Sequence, residues 1–213
     1  MSNIADIRKD YSKKMLQETD VHADAIEQFK IWWTEAVDSA IDEVNAMTLA
    51  TASAQGKPSA RVVLLKGFNE SGFIFFTNYH SQKASEIEEN PRVSLVFFWK
   101  ELERQVRIDG TIKKITAEDS NEYFYSRPVE SRIGAWASPQ SKVIASRKVI
   151  EENVVELEKS FAGKIIDRPP HWGGYIVKPG VIEFWQGRSS RLHDRLQYSL
   201  NEMGQWEIKR LAP

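Results

Sequence analysis

The sequence predicts a mainly β protein of the α+β class, in which an antiparallel sheet closes into a barrel with flanking helices. Short apolar segments recur along the 213 residues and are separated by tight turn sequences, a pattern typical of strands that pair with their sequence neighbours. Strands and helices do not alternate regularly, and no G-x-G-x-x-G motif follows a predicted strand, which disfavours a dinucleotide-binding parallel sheet. A closed antiparallel barrel accommodates such a series of hairpins.

Helices are predicted where a capping residue precedes apolar positions spaced three or four apart. They are a short helix within residues 4–16, one that begins at Asp24, two that begin at Ser81 and Thr116 and end at the prolines 91 and 128, and a long one over 146–161. Asp24 is followed three residues later by Glu27, the spacing of a capping box. The apolar positions of that helix are Ile26, Phe29, Trp33, Ala36, Val37, Ala40 and Ile41. Gly134 and Pro139 predict a loop before the last helix.

Strands are predicted where branched and aromatic residues cluster between turn sequences. They cover residues 47–52, 59–66, 73–77, 92–99, 104–115, 175–177, 181–185, 191–200 and 205–211. Short turns join the first three strands, so we expect them to form a meander. The dipeptide Pro179-Gly180 and residues 201–204 are expected to be the turns of two C-terminal hairpins.

The composition excludes several classes of protein. The chain has 29 basic and 30 acidic residues, a net charge of −1, whereas proteins that bind nucleic acid usually carry a basic excess. It has no cysteine, which excludes disulfides, thiol catalysis and thiolate metal sites. The four histidines, at positions 22, 80, 171 and 193, are too scattered to predict zinc. No metal and no nucleic-acid partner is therefore expected.

The domain organisation is predicted to be simple. No segment approaches 18 consecutive apolar residues, so no membrane span is expected, and no apolar leader-type run is visible near the start. We therefore expect a cytoplasmic protein. Residues 1–22 are polar and mixed in charge, which predicts a mobile N-terminal arm, and residues 23–213 are expected to form one domain.

The strongest functional signal lies in residues 183–195. This stretch contains Trp185, His193 and three arginines, Arg188, Arg191 and Arg195. Surface loops rarely need tryptophan, and cores rarely accept several guanidinium groups. Arginines match phosphate oxygens, and an indole ring can cover an aromatic system. The stretch therefore predicts a planar, anionic ligand.

A second candidate is the apolar segment between Arg61 and Lys66. In a regular strand these two positions have opposite parity and face opposite sides of the sheet. They can serve one ligand group only where a bulge intervenes or where the ligand wraps the strand end. The alternative, favoured by the segment alone, is that both cations mark exposed strand ends.

A third candidate runs from the end of a strand into the start of a helix, through Thr77, Ser81 and Lys83. The first turn of a helix offers free backbone N–H groups and a positive dipole end, which together bind phosphate. The two hydroxyls and the ammonium group would add to that site. The alternative is ordinary N-capping by Ser81 with no ligand.

Two further segments carry polar groups at informative spacings. Gln105 lies on the same strand face as Arg107, and its amide could pair with the edge of a heterocycle; the alternative is an exposed polar strand face. Tyr123 and Arg127 are four residues apart on one helix face. With Ser131 they could hold a second phosphate, or they could form a solvated helix end.

Taken together, these segments resemble the pyridoxine/pyridoxamine 5′-phosphate oxidase family, from Arg8 to the C-terminal RLAP. Each matching motif is weak alone, but all of them in this order are specific. They are RVVLLK at 61–66, FTN at 76–78, LERQV at 102–106, YFYSRP at 123–128, IGAW at 133–136, QS at 140–141, WGG at 172–174, FWQG at 184–187 and RLHDR at 191–195.

The resemblance implies a split β-barrel homodimer with FMN at the subunit interface. By that similarity the residues that hold FMN are Arg61, Val62, Val63, Leu64, Leu65, Lys66, Phe76, Thr77, Ser81, Gln82, Lys83, Gln105, Gln140, Ser141, Trp185 and Arg195. The residues that bind the substrate are Arg8, Tyr11, Lys66, Tyr123, Arg127, Ser131, Arg191 and His193. Arg191 and His193 are also the implied catalytic residues, over the pyridine ring of the substrate.

The implied reaction oxidises pyridoxine or pyridoxamine 5′-phosphate to pyridoxal 5′-phosphate with O2, releasing H2O2, and NH3 from the amine. Two positions depart from the family pattern: Gln82 stands where an arginine is frequent, and Phe76 where a tyrosine occurs. Two alternatives stay open, another FMN-dependent split-barrel oxidoreductase and a non-catalytic protein that binds vitamer phosphates.

Overall fold

Nine antiparallel strands form one sheet in the computed structural model, which describes residues 3–6 and 10–213. The strands are β1 (Ala46–Ala52), β2 (Pro58–Leu64), β3 (Gly67–Asn69), β4 (Gly72–Asn78), β5 (Arg92–Trp99), β6 (Arg104–Lys114), β7 (Trp172–Gln186), β8 (Asp194–Leu200) and β9 (Trp206–Leu211). Their order is β2-β1-β5-β6-β7-β4-β3, and β8 pairs with β7 and β9. This path is open, so the barrel is split, and the predicted fold class is confirmed.

Five α-helices flank the sheet in the described part of the chain. They are α1 (Ala25–Asp38), α2 (Gln82–Glu89), α3 (Ala117–Ser126), α4 (Val129–Ala137) and α5 (Lys148–Phe161). The predicted caps of α1 and α3 are confirmed, because Asp24 accepts hydrogen bonds from the first turn of α1 and Thr116 from Asp119. The predicted capping box is incomplete: the Asp24 N–H donates to His22 Nδ1 at 3.0 Å, and Glu27 pairs with Lys30. None of these helices combines the length and apolar character needed to cross a bilayer.

The larger of two hydrophobic clusters lies between the inner face of the sheet and α1. Alternate residues of the central strands, among them Leu95, Ile108 and Phe184, are fully buried, as the two-residue period of a strand requires. Phe29 of α1 packs edge to face on Phe73, with ring centroids 4.8 Å apart. The predicted stripe of α1 is partly wrong: Trp32 rather than Trp33 is buried. The helix ends at Asp38, before the predicted Ala40 and Ile41.

The predicted hairpin at Pro179-Gly180 is wrong, because β7 is one continuous strand of 15 residues. It pairs with β6 from Tyr175 to Gln186, and the register shifts at Asp109 and Gly110, so that Gly180 is the extra residue of a bulge. The bulge tolerates a proline that cannot donate to the ladder. Two strands share the other edge of β7: the first half of β7 pairs with β4, and its second half pairs with β8.

Other predictions differ from the structure in detail. The first three predicted strands do not form a meander, because β4 pairs with β7 and with β3, a strand that the sequence pattern does not predict. The expected loop at Gly134 is helix α4. In the N-terminal segment, Ile4–Asp6 form a 3-10 turn and residues 10–16 are irregular, so the described residues do not support a helix over 4–16. Arg8 lies outside the described residues.

Candidate functional site

One cleft of about 590 Å³ brings together three of the candidate segments. We call it the cationic cleft. It opens beside β2, β4 and α3, and its walls are Arg61, Val62, Val63, Leu64, Lys66, Phe76, Thr77, Lys83, Tyr123, Arg127, Pro128, Ser131, Gln140 and Trp172. Its volume lies within the range of about 300–1,000 Å³ that is typical of small-molecule sites.

Protein contacts fix Arg61 in the wall of the cationic cleft. Its guanidinium donates to Thr51 Oγ1 at 2.6 Å and pairs with Glu86 at 3.2 Å. Burial alone would raise the pKa of Glu86, but hydrogen bonds from Ser59, Thr51 and Gln82 and the charge of Arg61 lower this pKa to about 2. Glu86 therefore stays ionised and holds the guanidinium in place.

Lys66 lines the same cleft as Arg61, although strand parity would separate them. The reason is that β2 ends at Leu64, two residues earlier than predicted. The N–H of Lys66 then bonds to Ile74 of β4, so the chain has left the strand. Leu65, which precedes Lys66, is buried in the core. Its N–H donates to the Asn45 carbonyl, and its C=O accepts from the Asn45 side-chain amide.

Lys83 is the centre of a polar group at the start of α2. Its Nζ lies 3.2 Å from Thr77 Oγ1, 3.4 Å from Ser81 Oγ and 3.0 Å from Gln140 Oε1. Burial, reinforced by the positive charge of Arg61, lowers the pKa of Lys83. The fully buried Ser81 occupies the N-cap position, but its hydroxyl makes no capping hydrogen bond. The alternative of ordinary capping is therefore not supported.

Gln82 and Ser141 do not line the cationic cleft. Gln82 is exposed, and its amide donates to Glu86 Oε1 at 2.9 Å. The other oxygen of that carboxylate forms the ion pair with Arg61. Ser141 is exposed and has a φ of 67° next to Gln140, which does line the cleft. Neither side chain faces the cleft, so the contacts with a cofactor that the resemblance implies for both remain predictions.

Three aromatic residues and an arginine also line the cleft. Phe76 stacks on Tyr123 with ring centroids 3.9 Å apart and on Trp172 at 5.4 Å. The Arg127 guanidinium lies 4.6 Å from the centre of the Trp172 ring, a cation–π contact. Burial lowers the pKa of Arg127. Its NH1 atom is buried without a hydrogen-bond partner in the described structure, so Arg127 is not part of a solvated helix end.

A second group of candidates lies at the end of β7, outside the cationic cleft of the same chain. We call Gln105, Trp185, Arg191, His193 and Arg195 the C-terminal cluster. Gln105 pairs with Trp185 across β6 and β7, and Trp185 pairs with Arg195 of β8. The Trp185 and His193 rings are 4.5 Å apart. Arg191 is exposed in the 3-10 turn Ser189–Arg191, which replaces the predicted start of the eighth strand.

Ion pairs and a backbone contact orient this cluster. Arg195 Nε donates to Glu183 at 2.8 Å, and this hydrogen bond raises the pKa of Arg195. Burial, together with the charge of Arg191, lowers the pKa of His193. His193 Nδ1 accepts the N–H of Arg188 at 3.1 Å, which leaves Nε2 as the nitrogen that can carry the proton of the neutral ring.

Tyr11 joins the C-terminal cluster from the N-terminal segment. Its ring meets Trp185 edge to face at 5.9 Å and lies 6.0 Å from His193. The backbone of Gly187 packs against it, since a Cβ at that position would lie 2.7 Å from Tyr11 Cγ. A glycine after Trp185-Gln186 therefore makes room for the tyrosine.

Three site residues were missed from the sequence. Glu86 and Glu183 orient the two site arginines, but in sequence they resemble ordinary acidic residues of a helix and a strand. Trp172 belongs to the quoted WGG motif, yet it was not assigned to the site. The sequence signal for Trp172 is a large aromatic residue followed by two glycines. Glycine at position 173 allows close packing, since a Cβ there would lie 2.3 Å from the Tyr79 hydroxyl.

Comparisons with known proteins agree on one family. A family model described as pyridoxamine 5′-phosphate oxidase matches residues 33–161, and one described as the pyridoxine 5′-phosphate oxidase C-terminal dimerisation region matches residues 172–213. A protein of Trichormus variabilis, named pyridoxine/pyridoxamine 5′-phosphate oxidase, is 54% identical over 99% of this chain and 98% of its own. A Salinibacter ruber protein of the same name is 52% identical over 100% of both chains.

Solved structures resemble the chain as well. PhzG from Burkholderia lata, crystallised with tetrahydrophenazine-1-carboxylic acid, is 29% identical, with a TM-score of 0.87 over 93% of this chain and 98% of that one. An FMN-binding protein of Nostoc punctiforme, related to pyridoxamine 5′-phosphate oxidase, is 18% identical, with a TM-score of 0.69 over 87% of this chain and 97% of that one. At that identity the second likeness supports the fold.

Proposed function

The chain belongs to the pyridoxine/pyridoxamine 5′-phosphate oxidase family, and from that premise we propose how its residues carry out the family's reaction. The protein is an FMN-dependent oxidase that converts pyridoxamine or pyridoxine 5′-phosphate to pyridoxal 5′-phosphate with O2. It releases H2O2, and NH3 from the amine. The proposed location is the cytoplasm, and the proposed assembly is a homodimer.

The observation that carries the site assignment is that four cationic side chains line one cleft. We divide them into two groups, Arg61 and Lys83 with the start of α2, and Lys66 and Arg127 with Tyr123 and Ser131. A ligand with one phosphate needs one such group. A flavin phosphate and a substrate phosphate together need both, which favours the oxidase over a split-barrel reductase whose donor has no phosphate.

FMN fits the first group of residues. Arg61 and Lys83 are both positioned by protein contacts, so little side-chain entropy is lost when they bind a phosphate. Ser81 and the first turn of α2 add N–H groups and a positive dipole end. Gln82 gives its amide to Glu86 instead, the carboxylate that pairs with Arg61. When bound, FMN supplies the redox chemistry of the reaction.

The substrate phosphate is assigned to Lys66, Tyr123, Arg127 and Ser131. The partnerless NH1 of Arg127 supports this assignment, because a buried, unpaired donor loses about 1–3 kcal/mol that an acceptor on a ligand would restore. Phosphate oxygens match the fork of a guanidinium. The cation–π contact with Trp172 keeps the planar group in one orientation.

The C-terminal cluster is proposed to reach the cationic cleft of the partner protomer. The matched dimerisation region, residues 172–213, contains four of the five cluster residues. Phe98 of β5 pairs with Gln105 and is 55% exposed, and Val62 in the cleft wall is 66% exposed. Exposed apolar side chains beside both groups support a covering second copy. FMN would then lie at the interface, with Trp185, Gln105 and Arg195 around its ring system.

Within that site the protein orients the substrate and controls its charge. Two phosphate sites would fix the two ring systems face to face, which is mainly a positioning effect. Arg191 and His193 are assigned to the substituent at the reacting carbon. The lowered pKa of His193 keeps the ring neutral to a lower pH than usual, and its Nε2–H is then available to donate a hydrogen bond to that substituent. Tyr11, whose ring lies 6.0 Å from that of His193, is proposed to cover the same point.

The visible spectrum of the purified protein tests the function directly. A flavin spectrum that bleaches anaerobically with pyridoxamine or pyridoxine 5′-phosphate, and returns with O2 as H2O2 forms, is the expected result. A protein that binds these vitamers without bleaching would be a carrier rather than an oxidase. Turnover that is unchanged in Arg191→Ala and His193→Ala, with FMN bound, would refute the roles given to those two residues.

A further inference from the structure

The turn between β5 and β6 carries a buried carboxylate that binds the N-terminal segment. Glu103 is 2% exposed and has a φ of 55°, in the left-handed region that non-glycine residues adopt rarely. Its Oε2 accepts the backbone N–H of Ser12 at 2.9 Å and of Lys13 at 3.1 Å. Hydrogen bonds to an ionised acceptor are about twice as strong as neutral ones.

The same residue also fixes the end of β7. The Glu103 carbonyl accepts the N–H of Gly187 at 2.7 Å and the Gln186 side-chain amide at 3.2 Å. These residues directly follow Trp185. Glu103 therefore connects two chain segments that meet at the C-terminal cluster, one through its backbone and the other through its carboxylate.

The segment held by the carboxylate places Tyr11 on that cluster. Tyr11 directly precedes Ser12, and its ring contacts Trp185 and His193. The side chains of Ser12 and Lys13 are exposed, so Glu103 binds the backbone of this segment rather than its side chains. Lys14 adds an ion pair with Glu35 at 2.9 Å.

We propose that Glu103 is a positioning residue for the oxidase reaction. Its carboxylate holds residues 11–13 in place, so that Tyr11 covers the substrate end of the C-terminal cluster. The inference rests on the proposed function in one respect, the identity of the substrate. Seating would lower the KM for the vitamer phosphate by reducing the entropy lost when the segment closes. It leaves the binding of FMN to the cationic cleft unchanged.

Limited trypsin digestion of the FMN-loaded protein tests the seating. Glu103→Gln keeps the size of the side chain but removes the charge. We expect cleavage after Lys13 and Lys14 to become about tenfold faster, as the loss of charge assistance to two hydrogen bonds predicts. The matched control is Glu101→Gln, whose carboxylate lies on the same turn, exposed and 3.6 Å from Lys100. Equal cleavage rates in the two variants would overturn the proposal.

Steady-state kinetics separate positioning from a purely structural role. Glu103→Gln is expected to raise the KM for pyridoxamine 5′-phosphate several-fold, with the FMN dissociation constant unchanged. A fall in FMN affinity with no change in KM would refute positioning. If the parent chain does not oxidise the vitamer, the proposed function fails, while the cleavage rates still decide whether Glu103 seats the segment.

A second pair of variants avoids the buried turn in case Glu103→Gln does not fold. Ser12→Pro removes one of the two N–H donors, because proline has none. Ser12→Ala changes the exposed side chain and keeps the donor. Faster trypsin cleavage in Ser12→Pro than in Ser12→Ala supports the proposal, and equal rates contradict it.

Discussion

A single nitrogen, NH1 of Arg127, gives the clearest indication of a ligand at the scale of one residue. It is buried without a partner, while the guanidinium to which it belongs rests on Trp172. Native proteins pair nearly all of their buried polar groups, so an exception calls for an explanation. A phosphate in the cationic cleft provides one, because it brings acceptor oxygens to the wall that contains Arg127.

Replacing this arginine should therefore affect the substrate and spare the cofactor. We expect Arg127→Met, which keeps much of the contact with Trp172, to raise the KM for pyridoxamine 5′-phosphate by about tenfold or more. Hydrogen bonds to charged groups contribute about 1.5–3 kcal/mol each. Steady-state kinetics and FMN titration measure the two effects. Arg147→Met, at an arginine whose side chain is 88% exposed, is the matched control, and an equal KM in both variants would contradict the assignment.

Lys83 predicts how FMN binding depends on pH. Burial lowers the pKa of its ammonium group, so as pH rises this lysine loses its charge earlier than a free lysine, whose pKa is about 10.4. The affinity for FMN is expected to be highest where Lys83 is protonated and to fall as pH rises through the lowered pKa. Lys83→Arg should move that fall to higher pH, as followed by quenching of FMN fluorescence. Coincident pH profiles would exclude Lys83 from phosphate binding.

At the scale of elements, the sequence predicts segments better than it predicts their pairing. The strand at Arg92–Trp99 and the caps at Asp24 and Thr116 agree with the structure because short-range patterns determine them. The proline and glycine within β7 predict a turn for an equally local reason, and that prediction is wrong. Pairing with β6 keeps β7 continuous, and this long-range contact is not contained in any local window of sequence.

The bulge opposite that dipeptide depends on Gly110. A Cβ at this position would lie 2.2 Å from the carbonyl oxygen of Lys178, a backbone atom that cannot move without opening the β6–β7 ladder. We expect Gly110→Ala to reduce the free energy of unfolding by about 2–4 kcal/mol, in the range of strained core substitutions. Urea denaturation at a fixed protein concentration measures it.

The matched control for that variant is Gly67→Ala in β3. Gly67 has no atom within 4 Å of an added Cβ and no positive φ, so alanine should be tolerated there. If both glycine variants unfold at the same urea concentration, the close approach at the bulge does not limit stability. Loss of stability only in Gly110→Ala supports the account of β7 as one bulged strand.

At the scale of the whole molecule, the candidate site is divided into two halves. The cationic cleft and the C-terminal cluster lie in different regions of one chain, although the resemblance in sequence implies that both serve the same ligands. Strand parity and helix spacing could indicate which residues share a face, as for Tyr123 and Arg127. They could not show which protomer supplies each half, because that depends on a symmetry that no single chain expresses.

Subunit complementation tests this division. Arg127→Met impairs the cleft and His193→Ala the cluster, so homodimers of either variant are expected to have low activity. A heterodimer of the two carries one intact site and one doubly altered site, so co-expression should restore about a quarter of the parent activity if dimers form at random. The control pairs Arg127→Met with Lys66→Met, both in the cleft, which leaves every site altered. No recovery in the first pair would place both halves in one protomer and refute the shared site.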